Sequence, residues 1–269
     1  MCLLVVASRL VPDTPLVVGA NRDELLERPS TAVTVLHRGP PRIVGGRDEL
    51  SGGTWLAVNE RGVFAGLTNQ PLGEAKDPSK RSRGELPVAL TRHETADAAV
   101  QDFLGRFCPE DYNGSWLLVG DRASLYFIDF TGLVEPAAVP LPPGLHVLEN
   151  RPLGDPSPKV DLVVRAVGTP PDGDAVLAAF RTVLGDHRIP EHDERPHSAN
   201  CVHLDGFGTR SSCLVRVSTE SGPPPQLWVT DGPPCTAPLE EAGALWTADV
   251  ADAADVADVA AVQSRTSGL

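Results

Sequence analysis

Residues 1–24 read MCLLVVASRLVPDTPLVVGANRDE, and this stretch decides the fold. Cys2 to Ala7 is an unbroken apolar run, Leu16 to Ala20 is a second, and the turn-rich VPDTP lies between them. Two short apolar runs around a turn predict an antiparallel hairpin. A cysteine directly after the initiator Met is small enough for that Met to be removed. The new first residue then carries a thiol and its own α-amine, whose reference pKa of roughly 7.7–8.0 places a general base beside a nucleophile near neutral pH. A plainer alternative is that Cys2 only starts a buried strand. The second run leads into Asn21-Arg22-Asp23-Glu24. If the strand continues, Asn21 and Asp23 face one way and Arg22 the other. If it does not, the charges mark a solvated strand end.

Working outward, GGTWLAVNERGVFAGLTN at 52–69 places apolar runs (Thr54–Val58 and Val63–Leu67) on either side of the turn NERG. Gly52 and Gly53 allow a close backbone approach or an unusual φ. Thr68 and Asn69 stand at the far end, where a side-chain amide can donate to a developing oxyanion or simply open a turn before Pro71. Ala32–Leu36 is a weaker strand. Between Gly84 and Phe107 the apolar spacing turns helical, with a break near His93–Thr95 and Thr95 as an N-cap. Strand-like runs return at 115–119, 124–128 and 145–148. Helical spacing follows at 159–167 and 173–184, and strands at 201–204, 213–217 and 226–230. Segment 186–199 reads as a polar loop. This order predicts an α+β protein with largely antiparallel sheets and helices packed outside.

Across the 269 residues, 41% are apolar and 22% charged, the proportions of an ordinary globular chain. The net charge of −13 argues against nucleic acid or an anionic membrane surface as partner. No apolar run approaches a membrane span and the N-terminus lacks a basic leader, so the expected location is cytoplasmic. We expect one domain over 1–247 and a low-complexity Ala/Asp/Val tail over 248–269, helical or disordered. The five Cys (2, 108, 201, 213 and 235) are odd in number and contain no CxxC, which argues against a disulfide scaffold. His187, His192, His197 and His203, with Cys201 and Cys213, do not follow a zinc spacing. The expectation is no metal and a His-bearing surface loop, although Cys201 and His203 would share a face on a strand.

Taken in order, Met-Cys at the start, ANRDE at 20–24, RPS at 28–30, GGTWLAVNERG at 52–62, LTN at 67–69, SRGEL at 82–86, NRP at 150–152 and FGTRSS at 207–212 resemble the NRDE family. That family includes the transport and Golgi organisation protein 2 homologues, and the resemblance covers roughly residues 1–218. The family in turn resembles the N-terminal-nucleophile (Ntn) hydrolases of the cholylglycine hydrolase, penicillin acylase and acyl-CoA acyltransferase group. That likeness implies a four-layer αββα sandwich acting on amide or acyl bonds. It implies Cys2 as nucleophile, Asp23 holding the freed amine, Asn69 in the oxyanion hole, Asn150 as a second site amide and Arg210 as an orienting late Arg. Asn21, Arg22, Trp55 and Thr68 beside these positions are candidates for substrate contact. Those hydrolases carry an Arg three residues before the Asp; here that position is Ala20, and the Arg is Arg22. No cofactor is required by this reading. The resemblance also implies haem as a possible carried ligand, in an alternative where the fold transports haem or an acyl lipid.

Overall fold

A computed structural model describes residues 2–71, 76–191, 193 and 195–248. The tail expected at 248–269 lies, apart from Ala248, outside the described residues. The elements in chain order are β1 (Cys2–Val11), β2 (Thr14–Leu25), β3 (Ser30–His37), β4 (Ile43–Asp48), β5 (Leu56–Asn59), β6 (Phe64–Asn69), α1 (Glu85–Leu90), α2 (Ala96–Arg106), β7 (Ser115–Gly120), β8 (Leu125–Phe130), β9 (Ala138–Pro140), β10 (Gly144–Leu148), α3 (Pro158–Val167), α4 (Gly173–Leu184), β11 (His203–Leu204), β12 (Phe207–Val217), β13 (Gln226–Asp231) and β14 (Glu240–Glu241). One sheet runs β10-β1-β2-β12-β13-β14, with β11 added beside β12. The other runs β3 through β9 in sequence order, and every strand pair in both is antiparallel.

The layers follow from the two-residue period of the strands. Along β1, Leu4 and Val6 join the core between the sheets, while Leu3, Val5 and Ala7 pack with Val163, Val176 and Phe180 of α3 and α4. Along β6 and β7, Phe64, Trp116 and Leu118 face the other sheet. Ala65, Leu67, Leu117 and Val119 face Leu86, Leu90 and Phe103 of α1 and α2. Both faces of the central strands are therefore covered, which is why their sequences read as continuous apolar runs. The result is the expected α+β sandwich of four layers, αββα.

Among the described residues, three of the four α-helices begin at a side-chain cap, Thr95 being the one expected from the sequence. Thr95 Oγ1 accepts from Ala98 N at the start of α2, Ser157 Oγ from Val160 N at α3, and Asp172 Oδ1 from Ala175 N at α4. The strands depart more from expectation. β2 does not end at Ala20 but runs through NRDE to Leu25, and β12 starts at Phe207 rather than Cys213 because it pairs with β2 along its whole length. β4 has no counterpart in the sequence reading. Its Gly45-Gly46 looks like a turn, yet a Cβ at Gly46 would lie 2.0 Å from the Trp55 ring. The glycine makes room for an aromatic side chain lying across the strand.

Candidate active site

The register between β1 and β2 sets Cys2 opposite Arg22 and Leu4 opposite Ala20. Residues paired in this way share a face. Cys2 and Arg22 therefore look into the space between the sheets, at the end where the sheets part. A cavity of about 300 Å³ opens there. It is bounded by Cys2, Arg22 and Asp23 from one sheet and by Trp55, Leu67 and Asn69 from the other, with Arg28, Asp48 and Arg83 at its sides.

One side chain ties these pieces together. The β1–β10 ladder has its last pair at Leu4 and Leu148, and Asn150 follows two residues later. Asn150 Oδ1 accepts the Cys2 main-chain N–H at 3.0 Å, while its Nδ2 donates to the Asn69 carbonyl at the end of β6. Thr68 Oγ1 donates to the carbonyl of the preceding Glu149 at 2.9 Å. The segment 149–150 thus stitches the two sheets together beside Cys2. Thr68 is fully buried in this stitch and does not bound the cavity.

Asp23 is buried; its Oδ1 accepts from Thr209 Oγ1 at 2.6 Å, and Thr209 Oγ1 accepts from Val202 N at 2.9 Å. Burial pushes the Asp23 carboxyl above the ordinary range, against the opposing pull of the Lys159 charge and the Thr209 hydroxyl. Burial also pushes the half-buried Cys2 thiol up, aided by the Asp23 charge and opposed by the Asp23 main-chain N–H and the Arg22 guanidinium.

Arg22 is held at three points. It donates from Nη2 to Asp48 Oδ2 at 3.1 Å and from Nη1 to Ser30 Oγ at 3.3 Å, and it stacks 4.6 Å from the Trp55 ring centroid. Arg28 grips the same carboxylate from the other side, Nε to Oδ2 at 2.6 Å and Nη2 to Oδ1 at 3.0 Å. Burial alone would raise the Asp48 carboxyl, but the Arg28 fork, the Ser51 N–H and the charges of Arg28 and Arg22 hold it below the usual range. Arg83 reaches the cavity because Gly53 and Gly84 touch. A Cβ at Gly53 would lie 2.6 Å from Gly84 Cα, and Thr54 N donates to Gly84 O at 2.9 Å.

Cys2, Asp23, Asn69 and Asn150 are brought together, with Arg22 and Trp55 beside them. Two further candidates are placed elsewhere. Asn21 faces the helix side of the sheet, where its Nδ2 donates to the carbonyls of Leu184 at 2.9 Å and Asn200 at 2.8 Å and its Oδ1 accepts from Ser212 Oγ. Arg210 sits at a register shift between Thr209 and Ser211. The bulge turns it outward, and its Nη1 donates to the Leu26 carbonyl, away from the cavity. Arg22 is the strand arginine that reaches Cys2. It lies two residues from Ala20, on the same face of the sheet. Arg28, Asp48 and Arg83 were not among the expected site residues, although RPS at 28–30 and SRGEL at 82–86 contain two of them.

Two antiparallel sheets between helix pairs make a fold that is also found among solved hydrolase structures. A Caenorhabditis elegans N-acylethanolamine-hydrolyzing acid amidase ortholog has the same fold, with a TM-score of 0.54 and 14% identity over 79% of this chain and 92% of that one. A variant of conjugated bile acid hydrolase from Clostridium perfringens gives a TM-score of 0.51 and 11% identity over 89% of this chain and 92% of that one. Within that fold, the chain belongs to the Transport and Golgi organisation 2 family, which it matches over residues 1–222. The Homo sapiens transport and Golgi organization protein 2 homolog is 28% identical over 235 residues, 76% of this chain and 83% of the relative. The Bos taurus homolog is 29% identical over the same shares.

Proposed function

We propose that this chain is an N-terminal-cysteine amidohydrolase or acyltransferase acting on a small amide, thioester or acyl compound. The observation that carries the reading is the Asn150 bridge, which sets the Cys2 nitrogen and the Asn69 strand end around one cavity. Once Met1 is removed, that nitrogen is an amine. Because burial holds the thiol above its ordinary range, a base must take the proton, and the amine of the same residue is the base this reading assigns. The sulfur then attacks the carbonyl carbon. Asn69 donates to the oxyanion, Asp23 supplies a carboxylate for the ammonium, and Asn150 Oδ1 orients it. As the C–N or C–S bond breaks, the ammonium returns the proton to the leaving group and a thioester remains on Cys2. Water or an acceptor amine, deprotonated by the same α-amine, releases the acyl group and restores the thiol.

The lining contains Arg22, Arg28, Arg83 and Lys76 against Asp23, Glu24 and Asp48, four cations to three carboxylates in a chain of net charge −13. This local excess favours an acyl compound with an anionic group. A long uncharged acyl chain suits this lining less well. The test is turnover of a panel of small amides and thioesters by the wild type, Cys2→Ser and Cys2→Ala. The reading expects Cys2→Ala to lose on the order of 10³-fold or more in kcat. Wild-type protein that turns over none of them, yet binds haem or acyl lipid equally well as Cys2→Ala, would favour the carrier reading.

A further inference from the structure

Away from the cavity, four side chains that the acyl chemistry leaves unused converge. His187 follows α4, Cys201 and His203 flank the start of β11, and Cys235 lies in the loop after β13. The ligand atoms these four residues offer lie within 4.8 Å of one another. Cys201 Sγ is 3.7 Å from Cys235 Sγ and 3.5 Å from His203 Nε2, and His203 Nε2 is 3.3 Å from Cys235 Sγ. A tetrahedral zinc ion with Zn–S about 2.3 Å and Zn–N about 2.0–2.1 Å has S–S edges of about 3.8 Å and S–N edges of about 3.6 Å. The three edges among Cys201, His203 and Cys235 agree with this to within about 0.3 Å, and His187 stands farther out, within 4.8 Å of the others, so that its ring must move inward to complete the tetrahedron.

His187 is also prepared for the role. His187 Nδ1 lies 3.2 Å from the Cys201 carbonyl. A carbonyl only accepts, so Nδ1 carries the proton and the Nε2 lone pair is left for an ion. That is the supporting contact that metal-bound histidines ordinarily make.

We infer that His187, Cys201, His203 and Cys235 form a structural zinc site of the Cys₂His₂ class. Four protein ligands close the coordination sphere, so the ion clips three segments together and does no chemistry. The clip lies next to groups that position the site. Cys201 N donates to Asp186 O at 2.9 Å, the Asn200 carbonyl accepts from Asn21, and Val202 N donates to the Thr209 hydroxyl that binds Asp23. The sequence grouping of these residues is corrected in two ways. Cys213 is not a member: it sits in β12 against the inter-sheet core, where burial pushes its thiol up to about 12. Cys235, 34 positions beyond Cys201, takes its place. His192 lies outside the described residues.

The test is elemental analysis of the full chain after incubation with zinc and dialysis, together with cobalt(II) titration of the metal-stripped wild type. The expected result is one equivalent of zinc per chain. Cobalt should give one endpoint, with the intense visible bands of tetrahedral cobalt and a thiolate charge-transfer band. Cys235→Ser, on an exposed loop, should lose at least 100-fold in zinc affinity, while Cys108→Ser and Cys213→Ser retain one equivalent. Wild type that retains no more zinc than Cys235→Ser, or whose cobalt spectrum is octahedral without thiolate bands, would overturn the inference. So would a mass 2 Da low, mapping to a Cys201–Cys235 disulfide that persists under thiol reductant and zinc. The cobalt titration needs no variant, so a misfolded substitution does not decide the outcome.

Discussion

The Cys2 main-chain nitrogen donates to Asn150 Oδ1 at 3.0 Å across 148 positions of sequence. Asn150 is 7% exposed, and its other amide end donates to the Asn69 carbonyl. Asn150→Ala removes both bonds and leaves two partly buried main-chain groups without this partner, which costs up to about 1–3 kcal/mol of stability per group. Chemical denaturation should show this loss, and acyl turnover should fall with it. Asn150→Asp keeps the acceptor for the Cys2 nitrogen but sets a carboxylate against the Asn69 carbonyl. It should therefore recover only part of the stability that Asn150→Ala loses.

Asp23 predicts a separation of stability from activity. Its folded-state pKa lies above the unfolded value because of burial. The folded chain therefore binds this proton more tightly, and the group's contribution to stability falls as pH rises from about 3.8 through the folded pKa. Asp23→Asn removes that slope. Thermal melts at pH 7.5 should show the variant equal to or more stable than wild type, with the difference vanishing near pH 4, while acyl turnover is lost. A variant that melts lower at pH 7.5 would show that the carboxylate and Lys159 stabilise each other more than burial costs.

The Arg22–Asp48–Arg28 triad behaves in the opposite sense. Asp48 is held below the usual carboxylate range in the folded state, so its stabilisation is present above the unfolded pKa and lost as pH falls through the folded one. Asp48→Ala strands Arg22, whose side chain is 4% exposed. Removing one partner of such a pair costs about 3–5 kcal/mol. Denaturation at pH 7 should show the loss, and it should shrink toward pH 3.

The Cys2 thiol should titrate late. Burial raises it and Arg22 is among the groups that lower it. Alkylation of Cys2, followed by peptide mapping, should reach its half-maximal rate at a higher pH than a free cysteine thiol does. Arg22→Met should move the Cys2 profile further up. A Cys2 profile unmoved by the substitution would remove Arg22 from the electrostatics of the site.

Much of this was legible in the sequence, for identifiable reasons. α4 was read at 173–184 because its apolar residues recur at helical spacing. Cys2, Asp23 and Asn69 were legible because each sits at the end of a short apolar strand, where polar side chains can converge. β4 was missed because a strand that makes room for Trp55 at Gly46 looks like a turn. The end of β2 was misjudged because Arg22 and Asp23 are charged yet buried, each with its partner on another element. The outward placement of Arg210 was not foreseen because a bulge cannot be read from the residues that form it. Of the His187–Cys235 cluster, His187, Cys201 and His203 were grouped in the sequence, and Cys235 was missed because tertiary folding, not spacing, brings it to them.

The central claim is that Cys2 is a freed N-terminal nucleophile, and intact mass after acid quench tests it most directly. Purified wild type and Cys2→Ala are mixed with a small acyl thioester near neutral pH, quenched within seconds, weighed and peptide-mapped. The account predicts a chain lacking Met1, carrying one acyl group on the Cys2 peptide of the wild type and none on that of Cys2→Ala. A chain that retains Met1, with no acyl group on the N-terminal peptide, would contradict it.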